Sequence, residues 1–360
     1  MRRRGLRLVR GLLRLFPRSY LPLIYGIFMG GAAMTLIVPS ASGRVALLVP
    51  IVMALASRLG YGAESNGRIG LVLAATMGTM IPGFSILPSN VPNMGLYGAA
   101  ESIYGIHLQF GDYLVLNFPV LAVGAMLAYP LLIWRLFRAP PPQGEEIEAP
   151  ARWTWAERRL LAIVGLALLL WITDRWHGMS PAWIALGAAL LIVSPRVGAL
   201  PITALVRDLD YGPVLFVAGI IGLGAVVTST GLGAALANAL LTVLPLTAGH
   251  DAANFASIIA ISTVTELFTT MPAQPSVMAP LAAHMAEASG WPLMSVLMAP
   301  IVTWAAFPFY YQAPPVVLAV ALARLSIPRV TAMLCLYSVF ALAVLAPLQF
   351  LWGRWLGYFQ

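Results

Sequence analysis

Two apolar stretches near the start of the chain, Tyr20–Val38 and Val45–Leu55, are separated by a short run of small and polar residues, Pro39-Ser40-Ala41-Ser42-Gly43-Arg44. Neither arm clearly reaches the roughly 20 apolar residues of a full membrane span. Together they predict a re-entrant hairpin: two arms entering from one side, with a polar tip deep in the membrane. Irregular backbone at that depth survives only when buried in protein or lining a cavity. A single helix kinked at Pro39 is the alternative reading of this stretch taken alone.

The second half of the chain repeats the plan. Phe255–Val264 leads into Thr265-Glu266-Leu267-Phe268-Thr269-Thr270-Met271-Pro272, and the following arm ends Met278-Ala279-Pro280. Ten residues separate Ser40 from Pro50, and ten separate Thr270 from Pro280. The flanks match too: Gly5-Leu6 opens a helical stretch ending at Pro17, and Gly231-Leu232 opens one ending at Pro245. After each hairpin comes an apolar segment broken by prolines, at Ile81–Asn93 and at Pro308–Pro315. Interrupted helices in matching positions of two halves point to a transporter's binding site.

The pattern predicts an all-α polytopic membrane protein, an inverted repeat with two re-entrant hairpins and two broken transmembrane helices. Residues 1–18 read as an amphipathic interfacial helix, with Arg3, Arg7, Arg10 and Arg14 at helical spacing opposite leucines. Residues 19–137 form the first repeat: hairpin, a span from Arg68 broken near Pro82–Asn93 and resumed through Met94–Ile106, and a span over Tyr113–Phe137. Residues 138–156, rich in proline and charge, form a cytoplasmic linker. Residues 157–325 form the second repeat, with spans at Arg159–Thr173, Pro181–Val193 and Pro213–Ser229. A surface helix over Gly231–Leu244, the second hairpin over Asn254–Ala288 and a broken span over Trp291–Ala323 complete it. Residues 326–360 hold a last span at Val330–Trp352.

Composition agrees: the chain is 60% hydrophobic and 9% charged, with a mean hydropathy of +0.86. All 21 basic residues are Arg, and their placement marks topology rather than a nucleic-acid partner. With the N-terminus cytoplasmic, the positive-inside rule puts all but Arg175, Arg354 and Arg44 on the inner side. A bacterial inner membrane is the expected location. No cleavable signal peptide is visible, and the single Cys335 excludes an internal disulfide.

Arg44 falls at membrane depth, where a buried charge is costly and therefore a functional candidate. It replaces a cation's charge near the first tip, forks onto a substrate oxyanion, pairs with Glu101 or a neighbour, or snorkels to the cytoplasmic face. Glu266, just ahead of the second tip, either accepts a proton as a coupling group or ties its arm to a neighbour. Glu101 and His107 are expected toward the outer end of the first broken span. An embedded enzyme would need paired aspartates, HExxH or a serine with a basic partner; none is present, so no catalytic or metal-ligating residue is assigned.

At this point the residues resemble the divalent anion:sodium symporters, carriers of dicarboxylates, citrate or sulfate within the wider ion transporter superfamily. That family has hairpin tips reading Ser-Asn-Thr-Ala-Thr and helices broken at Gly-Thr-Pro-Pro-Asn-like turns. Here Ser40-Ala41-Ser42 and Thr270-Met271-Pro272 stand at the tips, and Pro88-Ser89-Asn90-Val91-Pro92-Asn93 and Gln312-Ala313-Pro314-Pro315 at the breaks. Ala41 and Met271 replace the tip asparagines that help hold sodium. The resemblance implies a small anionic substrate held by Ser40, Ser42, Arg44, Asn90 and Thr270, and a sodium ion, the one candidate cofactor, near Ser40, Ser89, Asn90, Asn93, Thr270 and Pro314. It also implies an elevator mechanism, contact with membrane lipid and a homodimer. Three spans precede the surface helix in the second half and none in the first. About three scaffold helices are therefore expected to be missing, through a late-assigned start, a degenerate gene or a shortened carrier that oligomerises, the first being favoured.

Overall fold

A computed structural model describes residues 19–38, 40–141, 154–195, 198–203 and 246–360, with single positions between 211 and 231. The helices are α1 (Tyr20–Met34), α2 (Ala41–Arg58), α3 (Asn66–Gly78), α4 (Val91–Tyr104), α5 (Phe110–Leu136), α6 (Trp155–Ile172), α7 (Pro181–Val193), α8 (Asp251–Phe268), α9 (Gln274–Ser289), α10 (Leu293–Met298), α11 (Pro314–Ala323) and α12 (Ile327–Trp355). The surface helices at 1–18 and Gly231–Leu244 and most of the span Pro213–Ser229 lie outside the described residues.

The two halves use the same parts in the same order. α1 and α2 are the arms of the first hairpin, and α8 and α9 those of the second. The first broken helix is α3, a 3-10 turn at Pro82–Ser85, and α4. Its counterpart is α10, a 3-10 turn at Ala299–Ala305, and α11. Each half closes on a long helix containing a π-helical turn, Phe118–Ala122 in α5 and Ala341–Leu345 in α12. Pro119 sits in the first of these turns and Pro347 just after the second. A proline cannot donate to the i→i−4 ladder, and a π turn accommodates the lost bond. Gln349 then joins the two long helices, its Nε2 donating to Leu116 O (3.1 Å) and Asn117 Oδ1 (3.3 Å).

The halves are interlocked. The second arm of each hairpin packs on the far limb of the other half's broken helix: α2 on α11, and α9 on α4. Within the first half, α1 crosses α3 with backbones in contact. A Cβ on Gly31 would lie 2.8 Å from Thr79 N, and one on Gly78 would collide with the Phe28 carbonyl. Glycine at both positions lets two membrane helices pack on dispersion alone, where no hydrophobic drive separates them from lipid. The segment Asn66–Ser85 is 94% buried, which makes it the central helix of the bundle.

Boundaries moved in a few places. α6 starts at Trp155 because Thr154 and Glu157 form a capping box: Glu157 N donates to Thr154 Oγ1, and Thr154 N to Glu157 Oε2. The linker is therefore shorter at its C-terminal end than the proline and charge pattern suggested. α4 begins at Val91, so Pro92 and Asn93 lie inside its first turn, where proline's missing N–H costs nothing. Leu166, Leu169, Leu186 and Leu190 on α6 and α7 are exposed and give these helices an apolar outer surface. Among the described residues, four segments (α2, Asn66–Ser85, α5 and α12) are long and apolar enough to cross a membrane.

Candidate functional site

The first hairpin tip is built around Arg44. Ser40 caps α2, its Oγ accepting from Gly43 N at 3.1 Å, which places Arg44 in the first turn of that helix. The side chain is 0% exposed. Its Nε donates to Thr79 O at the end of α3 (2.8 Å), Nη1 to Ser89 O in the break (3.1 Å) and to Val38 O at the tip, and Nη2 to Asn90 Oδ1 (2.7 Å). One guanidinium thus ties three irregular segments together, through bonds of the charge-assisted kind. All four acceptors are neutral oxygens.

The surrounding polar residues hold the break itself. Asn90 Nδ2 donates to Met80 O (2.9 Å), and Ser89 Oγ donates to Thr35 O (3.1 Å), joining the break to the end of α1. Asn93 Nδ2 faces three carbonyls, Gly83 (2.9 Å), Phe84 (3.4 Å) and Ile86 (2.8 Å), while its Oδ1 is buried without a partner. Gly83 leaves room for these side chains, since a Cβ would sit 2.7 Å from Ser89 Oγ and displace it.

Two readings of Arg44 end at this geometry. It bonds to the neighbours Thr79, Ser89 and Asn90 rather than to Glu101, which is half exposed and lies 3.4 Å from His107. Nor does it snorkel, since it is fully buried.

The second tip is built around Glu266, Gln274 and Thr303, all buried. Trp304 Nε1 donates to Gln274 Oε1 (2.9 Å), Gln274 Nε2 to Ser262 Oγ (2.5 Å), and Ser262 and Thr303 hydroxyls lie 3.2 Å apart. The Thr303 hydroxyl has Glu266 Oε1 at 2.8 Å and Pro300 O at 2.7 Å. Gln312 Nε2 donates to the Glu266 carbonyl at 2.6 Å, tying the second break to the hairpin. Glu266 Oε2 is buried with no partner.

The sequence-derived residues fall into two groups. Arg44, Ser89 and Asn90 are in direct contact, with Ser40 starting the same helix and Ser42 half-buried in its first turn. Thr270 is half-buried at the second tip, its carbonyl accepting from Ala273 N, and Pro314 is exposed at the start of α11. No hydrogen bond among the described residues joins the two groups. They meet through packing: the Met271–Ala273 turn rests on α4, whose cap is Asn90, and Phe84 meets Trp304 edge-on at 6.1 Å. The cavity beside Gln274, Met278, Leu96 and Trp304 is about 10 Å³, the size of one water, so the halves are closed on each other at this point.

Gln274, Thr303, Trp304 and Ser262 went unnoticed in the sequence, although one signal was available. Gln274 lies four residues past Thr270, as Arg44 lies four past Ser40.

The comparisons with known proteins agree with this architecture. The fold resembles the crystal structure of the YdaH transporter of Alcanivorax borkumensis, described as having an unusual topology. The TM-score is 0.54 at 17% identity, over 98% of this chain and 81% of that one. A protein of Cupriavidus necator described as a membrane protein is 24% identical over 219 residues, 58% of this chain and 42% of its own length. The chain thus spans less than half of that relative. The citrate transporter family model, CitMHS, matches residues 5–307. A multi-pass helical membrane protein with two matching hairpins and two broken helices, the chain belongs to the CitMHS citrate transporter family.

Proposed function

We propose that the protein is a secondary active carrier of citrate or a related small di- or tricarboxylate, working as a homodimer in the bacterial inner membrane with its N-terminus cytoplasmic. The observation that carries this reading is Arg44: a buried positive charge at a hairpin tip with only neutral oxygens around it. It gives the closed centre a net attraction for an anion, and the N-termini of α2 and α4 add to it. Ser40, Ser42, Asn90 and Thr270 are the polar groups nearest the two tips that could complete the site. The two hairpins and two broken helices would move as one block against a scaffold that includes α6 and α7, which is elevator-type alternating access.

Sodium is the coupling ion the family resemblance suggests. In the first half, however, Ser89 O and Asn90 Oδ1 are already engaged by Arg44. A second reading, coupling to protons at Glu266, has a specific observation in its favour. The Thr303 hydroxyl has one proton and two acceptors, Glu266 Oε1 and Pro300 O. An ionised Glu266 would take that proton's hydrogen bond, whereas a protonated one can donate to Thr303 and leave Thr303 to Pro300.

Uptake of labelled citrate, dicarboxylate and sulfate into proteoliposomes tests both. Accumulation under an imposed sodium gradient supports the first coupling, and accumulation under a proton gradient alone supports the second. No accumulation of any of the three anions under either gradient would remove the anion-carrier reading.

A further inference from the structure

We propose that the guanidinium of Arg44 is the permanently bound cation of an oxygen-lined cation site, so that the first half of the carrier keeps its positive charge on the chain and takes none from solution. The proposal deepens the carrier reading and rests on it only for its transport consequence.

Three features of the surroundings support it. The acceptors are Val38 O, Thr79 O, Ser89 O and Asn90 Oδ1, drawn from the hairpin tip, the end of α3 and the break. Neutral oxygens converging from unwound backbone are what coordinates a small hard cation in transporters and channels. Next, the groups that Arg44 contacts include no carboxylate: its acceptors are three backbone carbonyls and an amide oxygen. A buried arginine kept for structure alone is ordinarily matched by an acid, because an unmatched charge is costly to bury. Last, Arg44 lies in the first turn of α2, where a basic side chain opposes the helix dipole. Local preference argues against arginine at that position, yet it is there.

The second half provides the internal control. Gln274 occupies the equivalent place, at the start of α9 and six residues ahead of Pro280, as Arg44 is six ahead of Pro50. It is neutral and finds its partners in Ser262 and Trp304. The hairpin architecture therefore accepts an uncharged side chain at this turn, and the charge in the first half answers a different need.

Removing the tethered cation should leave a site for a free one. The test is thermal unfolding of the purified, detergent-solubilised full chain, as wild type, Arg44→Ala, Arg44→Gln and Arg44→Lys, titrated with methylguanidinium, sodium or potassium chloride at matched ionic strength. The neutral variants are expected to gain several degrees, saturably, with at least one of these cations, by preferential binding to the folded state. Wild type and Arg44→Lys should not respond. Neutral variants that fold and show no cation-specific shift would overturn the proposal. If neither neutral variant folds with or without methylguanidinium, Arg44→Lys decides: a folded Lys variant supports the need for charge, and an unfolded one rejects it. Because melting needs no transported anion, a cation response without uptake would count against the carrier reading alone.

Discussion

Arg44 and Gln274 stand at the same place in the two halves, each four residues past a tip hydroxyl and six before a helix proline. Each reaches from the second arm of its hairpin toward its own half's broken helix, Arg44 to Thr79 O and Asn90 Oδ1 and Gln274 to Trp304 Nε1. The same mechanical task is thus done once with a cation and once with an amide. An inverted repeat makes the hairpins structurally equivalent, and this pair of residues makes them electrostatically different. That asymmetry puts a cation at the first hairpin, and Glu266 in the second half supplies an acid with no counterpart at the matching position, Leu36.

Replacing Gln274 by leucine should show how much of the second hairpin depends on the amide. Trp304 Nε1 would lose its acceptor in a buried setting, a cost of about 1–3 kcal/mol. Gln274→Glu keeps an oxygen for Trp304 and should cost less in melting temperature. Equal losses in the two variants would show that the Trp304 bond is not the important one.

Glu266→Gln separates coupling from structure. The amide can still face Thr303, so the fold and substrate affinity are expected to survive. If Glu266 carries the coupling proton, the variant should exchange anion across proteoliposomes but fail to accumulate it under a proton gradient. Accumulation at the wild-type level would return Glu266 to the role of tying its arm to Thr303 and Gln312.

The crossing of α1 and α3 leaves no room for a side chain at Gly78. Gly78→Val should strain it by about 1–3 kcal/mol, the usual range for overpacking, and lower the melting temperature accordingly. Gly62, where a Cβ would meet nothing within 4 Å, is the control position and should tolerate alanine.

How much of this was legible in the sequence follows from which interactions are local. The hairpins, breaks and long spans were readable because proline and apolar periodicity act along the chain. Pro50 and Pro280 marked the repeat, and Pro88 and Pro314 marked the breaks. The partners of Arg44 were not readable. They are three carbonyls and an amide from residues up to 46 positions away, and carbonyl oxygens carry no sequence signature. The Glu266–Thr303–Ser262–Gln274–Trp304 chain was missed for the same reason, since hydroxyls in an apolar run look like ordinary helix filler until the fold stacks them. The capping box at Thr154 and Glu157 is local and was readable, a Thr followed three residues later by Glu just ahead of an apolar run.

Arg324 ends α11 in the left-handed region, at φ 50, where the equivalent end of α4 has Gly105 at φ 66. A side chain there costs about 1–2 kcal/mol relative to glycine. Arg324→Gly should therefore raise stability by up to about 1 kcal/mol, after the greater freedom of glycine in the unfolded chain is subtracted. A fall in the melting temperature would mean that the arginine contributes more through its charge than its backbone costs.

Tyr104 links the end of α4 to the second hairpin. Its hydroxyl donates to Ala279 O at 2.7 Å and accepts from Ala283 N at 3.3 Å, the two groups a regular helix pairs with each other. Pro280 lies in the same turn and already weakens the ladder there. The hydroxyl therefore acts as a side-chain insert in that turn and fastens α9 to the other half. Tyr104→Phe should cost about 1 kcal/mol, and amide exchange across residues 279–286 should rise roughly fivefold as that turn opens more often. Exchange in α2, which has no such insert, should stay as it is. If the turn in α9 exchanges no faster, the ladder there is weakened by Pro280 alone, and the second hairpin is free to move without first releasing Tyr104.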